Sequence, residues 1–220
     1  MMATVPALHV IGAGPFGGAV AEAILAARPE ASATLAQRDL GPDRADGPGA
    51  VLPPAAGYVL AAGCPMPGYA AALDQVAFEQ GVSWLPVIVE HPLLRIGPAV
   101  VPGVGACYGC WRRRLRQHAV APDLEAALER AYRHATVERQ AGHLPAAARL
   151  AAAVALDVVE RLAHDAPGET GRVRQMDLLT RQLTTGKALG VHGCPRCGLG
   201  RDERDRSHAS LLAELEEVWA

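Results

Sequence analysis

The chain has 220 residues, half of them hydrophobic, and a formal net charge of −2. That length supports one sizeable core, and the charge gives no electrostatic footprint for nucleic acid or an anionic membrane surface. No apolar run reaches the roughly 18 uninterrupted residues of a membrane span, and no basic residue precedes the apolar N-terminal run as a signal peptide requires, so a soluble, cytoplasmic protein is expected.

"ALHVIG" opens the pattern as a short buried parallel strand. "GAGPFGG" follows as a turn, then "AVAEAILAARP" as a small-residue helix stopped by Pro29. "ASATLAQRD" reads as a second strand, and "LGPDRADGPGAVLPPAAG", rich in Gly, Pro and Asp, as an exposed loop. "YVLAAG" is a third strand, "AALDQVAFEQG" a helix closed by Gly81, and "SWLPVIVE" a fourth strand. Alternation of strand and helix predicts an α/β fold: a Rossmann-like, mostly parallel sheet with flanking helices.

Beyond Cys110 the pattern changes. "PDLEAALERAYRHA" sets Leu124, Leu128 and Ala131 on one helical stripe. "PAAARLAAAVALDVVERLAH" is a long helix with Pro145 at its first turn, and "GRVRQMDLLTRQLTTGKAL" alternates like a pair of strands. The tail places Leu211, Leu212, Leu215, Val218 and Trp219 along one helical face, for core or dimer packing or for docking another protein. No internal repeat or linker divides the chain. We expect one domain over 1–220: a Rossmann-like part (1–105), a metal-clamped helical and strand part (106–200) and a C-terminal helix (203–220).

Two motifs carry chemistry. Gly12, Gly14 and Gly17 form a GxGxxG turn between a strand and a helix. There the chain turns tightly, and a helix N-terminus faces an anion. For NAD, an acid at the end of the second strand would meet a ribose; Asp39 is placed for that role or is an ordinary loop acid.

The second motif is a pair of CxxC sequences, "ACYGC" and "GCPRCG", supplying Cys107, Cys110, Cys194 and Cys197. In a reducing compartment such pairs are metal ligands or redox couples. Four thiolates complete a tetrahedral zinc shell and leave no open position for catalysis. Finger-type pairs lie about 12 to 20 residues apart; here 83 residues separate Cys110 from Cys194, so the metal would clamp the C-terminal part onto the middle of the chain. Cys64, the fifth cysteine, reads as a small buried hydrophobe. Arg112, Arg113, Arg114 and Arg116 read as a solvated helix face, or as cations that lower a thiol pKa or meet an anion.

In order and spacing, "HVIGAGPFGG", "YVLAAGCPMPG", "VVPGVGACYGC", the alanine-rich helix and "GCPRCG" resemble the adenylating domain of the ubiquitin-activating superfamily, the ThiF and MoeB type. The resemblance runs along nearly the whole chain and implies that Cys107, Cys110, Cys194 and Cys197 hold structural zinc. It also implies an Asp-Asn at the end of the third strand for ATP and magnesium, where this chain has "AAGCPMPG". An Arg-Gln element and a lysine after the second strand are missing too; the only lysine is Lys187, and the nearby cations are Arg38 and Arg44. Without these groups, phosphoryl chemistry lacks its usual electrostatic support, and this chain is not expected to bind ATP.

"GPAVVPGVGACYGCWRRRL" further resembles the partner proteins of YcaO cyclodehydratases, which make thiazoles and oxazoles in ribosomal peptides. That resemblance implies a non-catalytic scaffold: the YcaO subunit holds ATP, and this chain assembles with it, as a homodimer or hetero-complex, with the precursor peptide as a further partner. Those proteins usually carry an N-terminal winged-helix element that grips the leader peptide, whereas the sequence here starts at the Rossmann-like strand. Two other readings stay open: an active ATP-dependent adenylyltransferase acting on a peptide or carrier-protein C-terminus, and an NAD(P)-binding oxidoreductase.

Overall fold

A computed structural model describes residues 8–36, 52–133 and 142–198. Asp39, Arg38, Arg44, most of the loop from residue 40 and the C-terminal helix expected over 203–220 lie outside the described residues.

The glycine turn and the alternating strands build one seven-stranded sheet in the order β2-β1-β3-β4-β5-β6-β7. β1 (His9–Ala13), β2 (Ser32–Ala36), β3 (Gly57–Ala62) and β4 (Ser83–Glu90) are parallel neighbours. β5 (Leu93–Ile96) turns back against β4, β6 (Arg172–Asp177) pairs with β5, and β7 (Leu183–Lys187) closes a hairpin with β6, each antiparallel. The sheet is therefore Rossmann-like and parallel where the glycine turn sits, with an antiparallel extension. The strand pair expected over 171–189 is β6 and β7; β5 is an addition to the expected strands.

Side chains alternate between two apolar layers, as the pleat requires. Val10, Val59, Leu85 and Val87 face α1 (Gly14–Ala27) and α5 (Pro145–His164). Ile11, Leu60, Trp84 and Ile88 face α2 (Pro67–Gln80) and α3 (Tyr108–Gln117). α5 is alanine-rich for a packing reason: Ala148, Ala151, Ala152 and Ala155 are buried in the layer shared with α1, and small side chains let two helices approach closely.

α4 (Pro122–Arg133) is the helix expected from that stripe, and its Leu124 and Leu128 are exposed. A one-turn helix, α6 (Ala166–Glu169), leads into β6, where the buried Glu169 accepts from Arg174 at 2.5 and 3.1 Å. Among the described residues no helix is long and apolar enough to cross a membrane.

Candidate metal centre and nucleotide turn

Cys107 lies at the N-cap of α3 and Cys110 in its first turn, so both thiols project from one helix end. The second pair sits in the loop after β7, where Gly193 adopts a φ of +75° that favours glycine. The chain doubles back tightly there: the Gly198 N–H donates to the Cys194 carbonyl at 2.7 Å, and a Cβ on Gly198 would meet the Cys194 backbone nitrogen at 2.6 Å.

The result brings Cys107, Cys110, Cys194 and Cys197 together with all four Sγ atoms within 4.8 Å of one another. Cys107 and Cys194 are 3.8 Å apart, Cys110 and Cys197 3.3 Å. Tetrahedral zinc with Zn–S near 2.3 Å separates its sulfurs by about 3.8 Å. The donor set and spacing therefore fit a zinc-sized ion.

Backbone N–H groups point at the sulfurs. Val191 donates to Cys110 Sγ at 3.2 Å; Cys110 donates to the Cys107 thiol, and Cys197 and Arg196 to that of Cys194. These contacts favour thiolate. The Cys197 thiol is pulled down to about 4, first by the hydrogen bond from Cys107. Cys107 is raised as the donor of that bond and by burial, and burial raises Cys110 to about 11. Burial opposes ionisation of Cys194, but the N–H groups of Cys197 and Arg196 together with the Cys110 thiol hold it below its ordinary value. The backbone donors aimed at the sulfurs favour the thiolate form that a cation binds.

One carboxylate ties both halves of the cluster to the sheet. Asp74, buried on α2, accepts from the Trp84 indole N–H at 3.0 Å and from the backbone N–H of Tyr108, next to Cys107. Its other oxygen pairs with Arg196, between Cys194 and Cys197. The Arg196 guanidinium also lies over the Phe78 ring, 5.0 Å from its centroid, and donates to Gln75. Burial raises the Asp74 pKa, against the opposing effect of the Trp84 and Arg196 contacts. An acid inside a helix reads from sequence as an exposed charge, and no pattern along the chain marks Asp74 as buried.

The arginines of α3 divide by position. Arg113 and Arg116 are exposed, as a solvated face predicts. Arg114 donates to Gln117 at 3.0 Å and to the Gly190 carbonyl beside the cluster at 3.5 Å. Arg112 is partly buried. Cys64, read as buried, is only partly so.

The glycine turn takes the expected place, between β1 and α1. Gly14 has a φ of +68°. A Cβ on Gly12 would lie 2.9 Å from the Gly17 carbonyl carbon, and one on Gly17 would collide with the Ala61 carbonyl oxygen. Both glycines thus let α1 start directly against β1 and β3. At the adjacent end of β3 the chain runs Ala62-Gly63-Cys64-Pro65-Met66 without an acid, and the next carboxylate along the chain is Asp74, already engaged.

No protein-family model and no curated protein matches the chain. Solved structures do. The heterocyclase TruD is 20% identical with a TM-score of 0.59, covering 88% of this chain and 28% of that one. A heterocyclase in complex with substrate and cofactor gives 20%, 0.59, 88% and 26%. MccB of E. coli, solved with AMPCPP and MccA, gives 13%, 0.60, 87% and 67%. The chain spans about a quarter of the heterocyclases' length and about two thirds of MccB's. It shares the fold of these proteins, in keeping with the ThiF and MoeB type that its motifs resemble.

Proposed function

We propose that this chain is a scaffolding partner in a complex that closes azoline rings in a ribosomally made peptide, with a YcaO-type subunit supplying the ATP chemistry. The observation that carries this reading is the end of β3. A GxGxxG turn stands at Gly12, Gly14 and Gly17, but the neighbouring strand end offers no carboxylate for magnesium, and Asp74 is committed to Trp84 and Arg196. The fold shared with TruD supports the pathway.

In this reading Cys107, Cys110, Cys194 and Cys197 hold structural zinc. Four thiolates fill its coordination sphere, so the ion supplies a cross-link and not a reactive position. The protein's own contribution is positional: Asp74 and Arg196 fix the cross-link against α2, and α3 is oriented by its first turn. Co-purification with the YcaO-type protein, followed by ring formation on the precursor peptide by the pair and by neither alone, supports the reading. Ring formation by the YcaO-type protein at full rate without this chain contradicts it.

A second reading has its own support. MccB, of which the chain spans two thirds, has been solved with ATP and with AMPCPP and MccA. An active adenylyltransferase on a peptide or carrier C-terminus follows if the glycine turn binds ATP here. The oxidoreductase reading depends on Asp39, outside the described residues.

A further inference from the structure

Cys110 Sγ stands 3.3 Å from Cys197 Sγ, and Cys107 Sγ 3.8 Å from Cys194 Sγ. Both approaches run between the two CxxC pairs and not within one. A disulfide at either place would join the start of α3 to the loop after β7, the same two segments that a metal held by these thiols joins. We propose that the four-cysteine centre is a peroxide-responsive modification site: oxidation couples Cys110 to Cys197 and expels the ion, yet leaves the two segments cross-linked. The inference rests on the zinc reading of these cysteines for the ion that is expelled.

Burial selects the thiol that reacts first. Cys107, Cys110 and Cys194 are buried residues, and Cys197 is partly exposed. A hollow of about 10 Å³ lies beside it, lined by Cys107, Cys197, Asp74 and Trp84. That is room for about one water-sized molecule, and hydrogen peroxide is a small, uncharged oxidant. The Cys197 sulfur attacks one peroxide oxygen; the O–O bond breaks, hydroxide leaves and takes a proton from solvent, and Cys197 becomes a sulfenic acid. Cys110, at 3.3 Å, then attacks the Cys197 sulfur. The S–S bond forms, the S–O bond breaks, and a second hydroxide leaves and is protonated to water. The two thiolates have given two electrons to one peroxide. Only two thiolates remain of the four that complete a zinc shell, so the ion is lost.

Contacts that need no metal hold the sulfurs in line. Arg196, the residue before Cys197, pairs with the buried Asp74 and lies over the Phe78 ring. The Gly198 N–H donates to the Cys194 carbonyl, and the Val191 N–H to Cys110 Sγ. The second approach, Cys107 to Cys194, supplies a further disulfide with a second peroxide. Each bridge spans 87 residues of chain, and a cross-link over so long a loop strongly constrains the unfolded chain. The oxidised protein therefore gives up its metal and keeps its fold, and a thiol reductant reverses the change by exchange.

The test uses the full zinc-loaded chain with hydrogen peroxide as the only oxidant. A chromogenic chelator reads zinc release, peptide mass spectrometry after thiol blocking reads the disulfides, and urea denaturation without reductant reads the clamp. About one peroxide consumed per chain should release the zinc. The dominant cross-linked peptide should join Cys110 to Cys197. The oxidised, metal-free chain should unfold at a higher urea concentration than the reduced, metal-stripped chain, and dithiothreitol with zinc should restore the original stoichiometry. Cys64→Ser, outside the centre, should give the same results. Zinc retained after the peroxide is consumed overturns the proposal. So does a main product that is a disulfide within either CxxC pair, a disulfide to Cys64 or a sulfinic acid at Cys197. Unfolding of the oxidised chain at the stripped chain's urea concentration overturns it too. Failure of the zinc reading looks different: the chain purifies without zinc, while the reduced metal-free chain still forms the Cys110–Cys197 bridge with peroxide.

Discussion

Asp74 on α2 and Arg196 in the second cysteine pair are joined by an ion pair across 122 residues of chain. The same carboxylate holds the Tyr108 N–H beside the first pair, so both halves of the four-cysteine cluster are referenced to one buried group. Outer-shell partners of this kind are worth 10- to 100-fold in metal affinity. Asp74→Ala should lower zinc affinity by about that factor, read by chelator competition. It also strands the Trp84 indole N–H, at about 1–3 kcal/mol, read by urea denaturation. Arg196→Ala should share the affinity loss and cost less stability, because its side chain is partly exposed. Zinc affinity within twofold of the unsubstituted chain for both variants would separate Asp74 from the metal centre.

Metal analysis should find about one zinc per chain. Cys194→Ser should abolish that stoichiometry and expose the loop over 188–198 to proteolysis, since metal-ligand bonds, once made, contribute folding energy. If the metal-stripped protein unfolds at the same urea concentration as the loaded one, the four thiols do not clamp the fold.

The glycine turn is a packing device before it is a binding one. Gly17→Ala drives a methyl into the Ala61 carbonyl, and overpacking of this kind costs about 1–3 kcal/mol. Gly18→Ala, one residue on in the same helix, meets nothing within 4 Å and should stabilise by about 0.5–1 kcal/mol. Thermal unfolding without nucleotide should order the three proteins that way; equal melting temperatures for Gly17→Ala and the unsubstituted chain would contradict the close approach.

His9 predicts a pH dependence. It is buried between β2 and Tyr58, with Nδ1 2.7 Å from Ser32 Oγ and Nε2 3.1 Å from Thr34 Oγ1, and burial holds its pKa below the ordinary 6.5. As pH falls through 6.5 the unfolded chain takes up a proton that the folded chain refuses, so stability present above that pH is lost progressively below it. His9→Phe should flatten this part of the stability profile between pH 7 and 5. An unchanged slope would assign it to other groups.

Much of this architecture is legible in the sequence, for identifiable reasons. β1, β3 and β4 are continuous apolar runs because both faces of the parallel sheet are covered. The cysteine pairs can be matched across 83 residues because each supplies half a tetrahedral shell. β5 escapes notice because "LLRI" is four residues long, stands between Pro92 and Pro98, and buries an arginine that only its contacts to Glu90 and Trp111 explain. The α4 stripe is legible as amphipathic, but not as exposed, since a pattern does not say what lies opposite. Asp74 is invisible for the complementary reason: its partners come from β4, α3 and the knuckle loop, and sequence does not show that they converge.

The central claim is that ATP chemistry belongs to another subunit. ATP–pyrophosphate exchange, run with the zinc-loaded chain, the precursor peptide and magnesium, tests it most directly. The account predicts no exchange above background and no saturable ATP binding in the micromolar range by this chain alone, with ATP consumption appearing once the YcaO-type subunit is added. Exchange by this chain alone would contradict it and make the protein an adenylyltransferase.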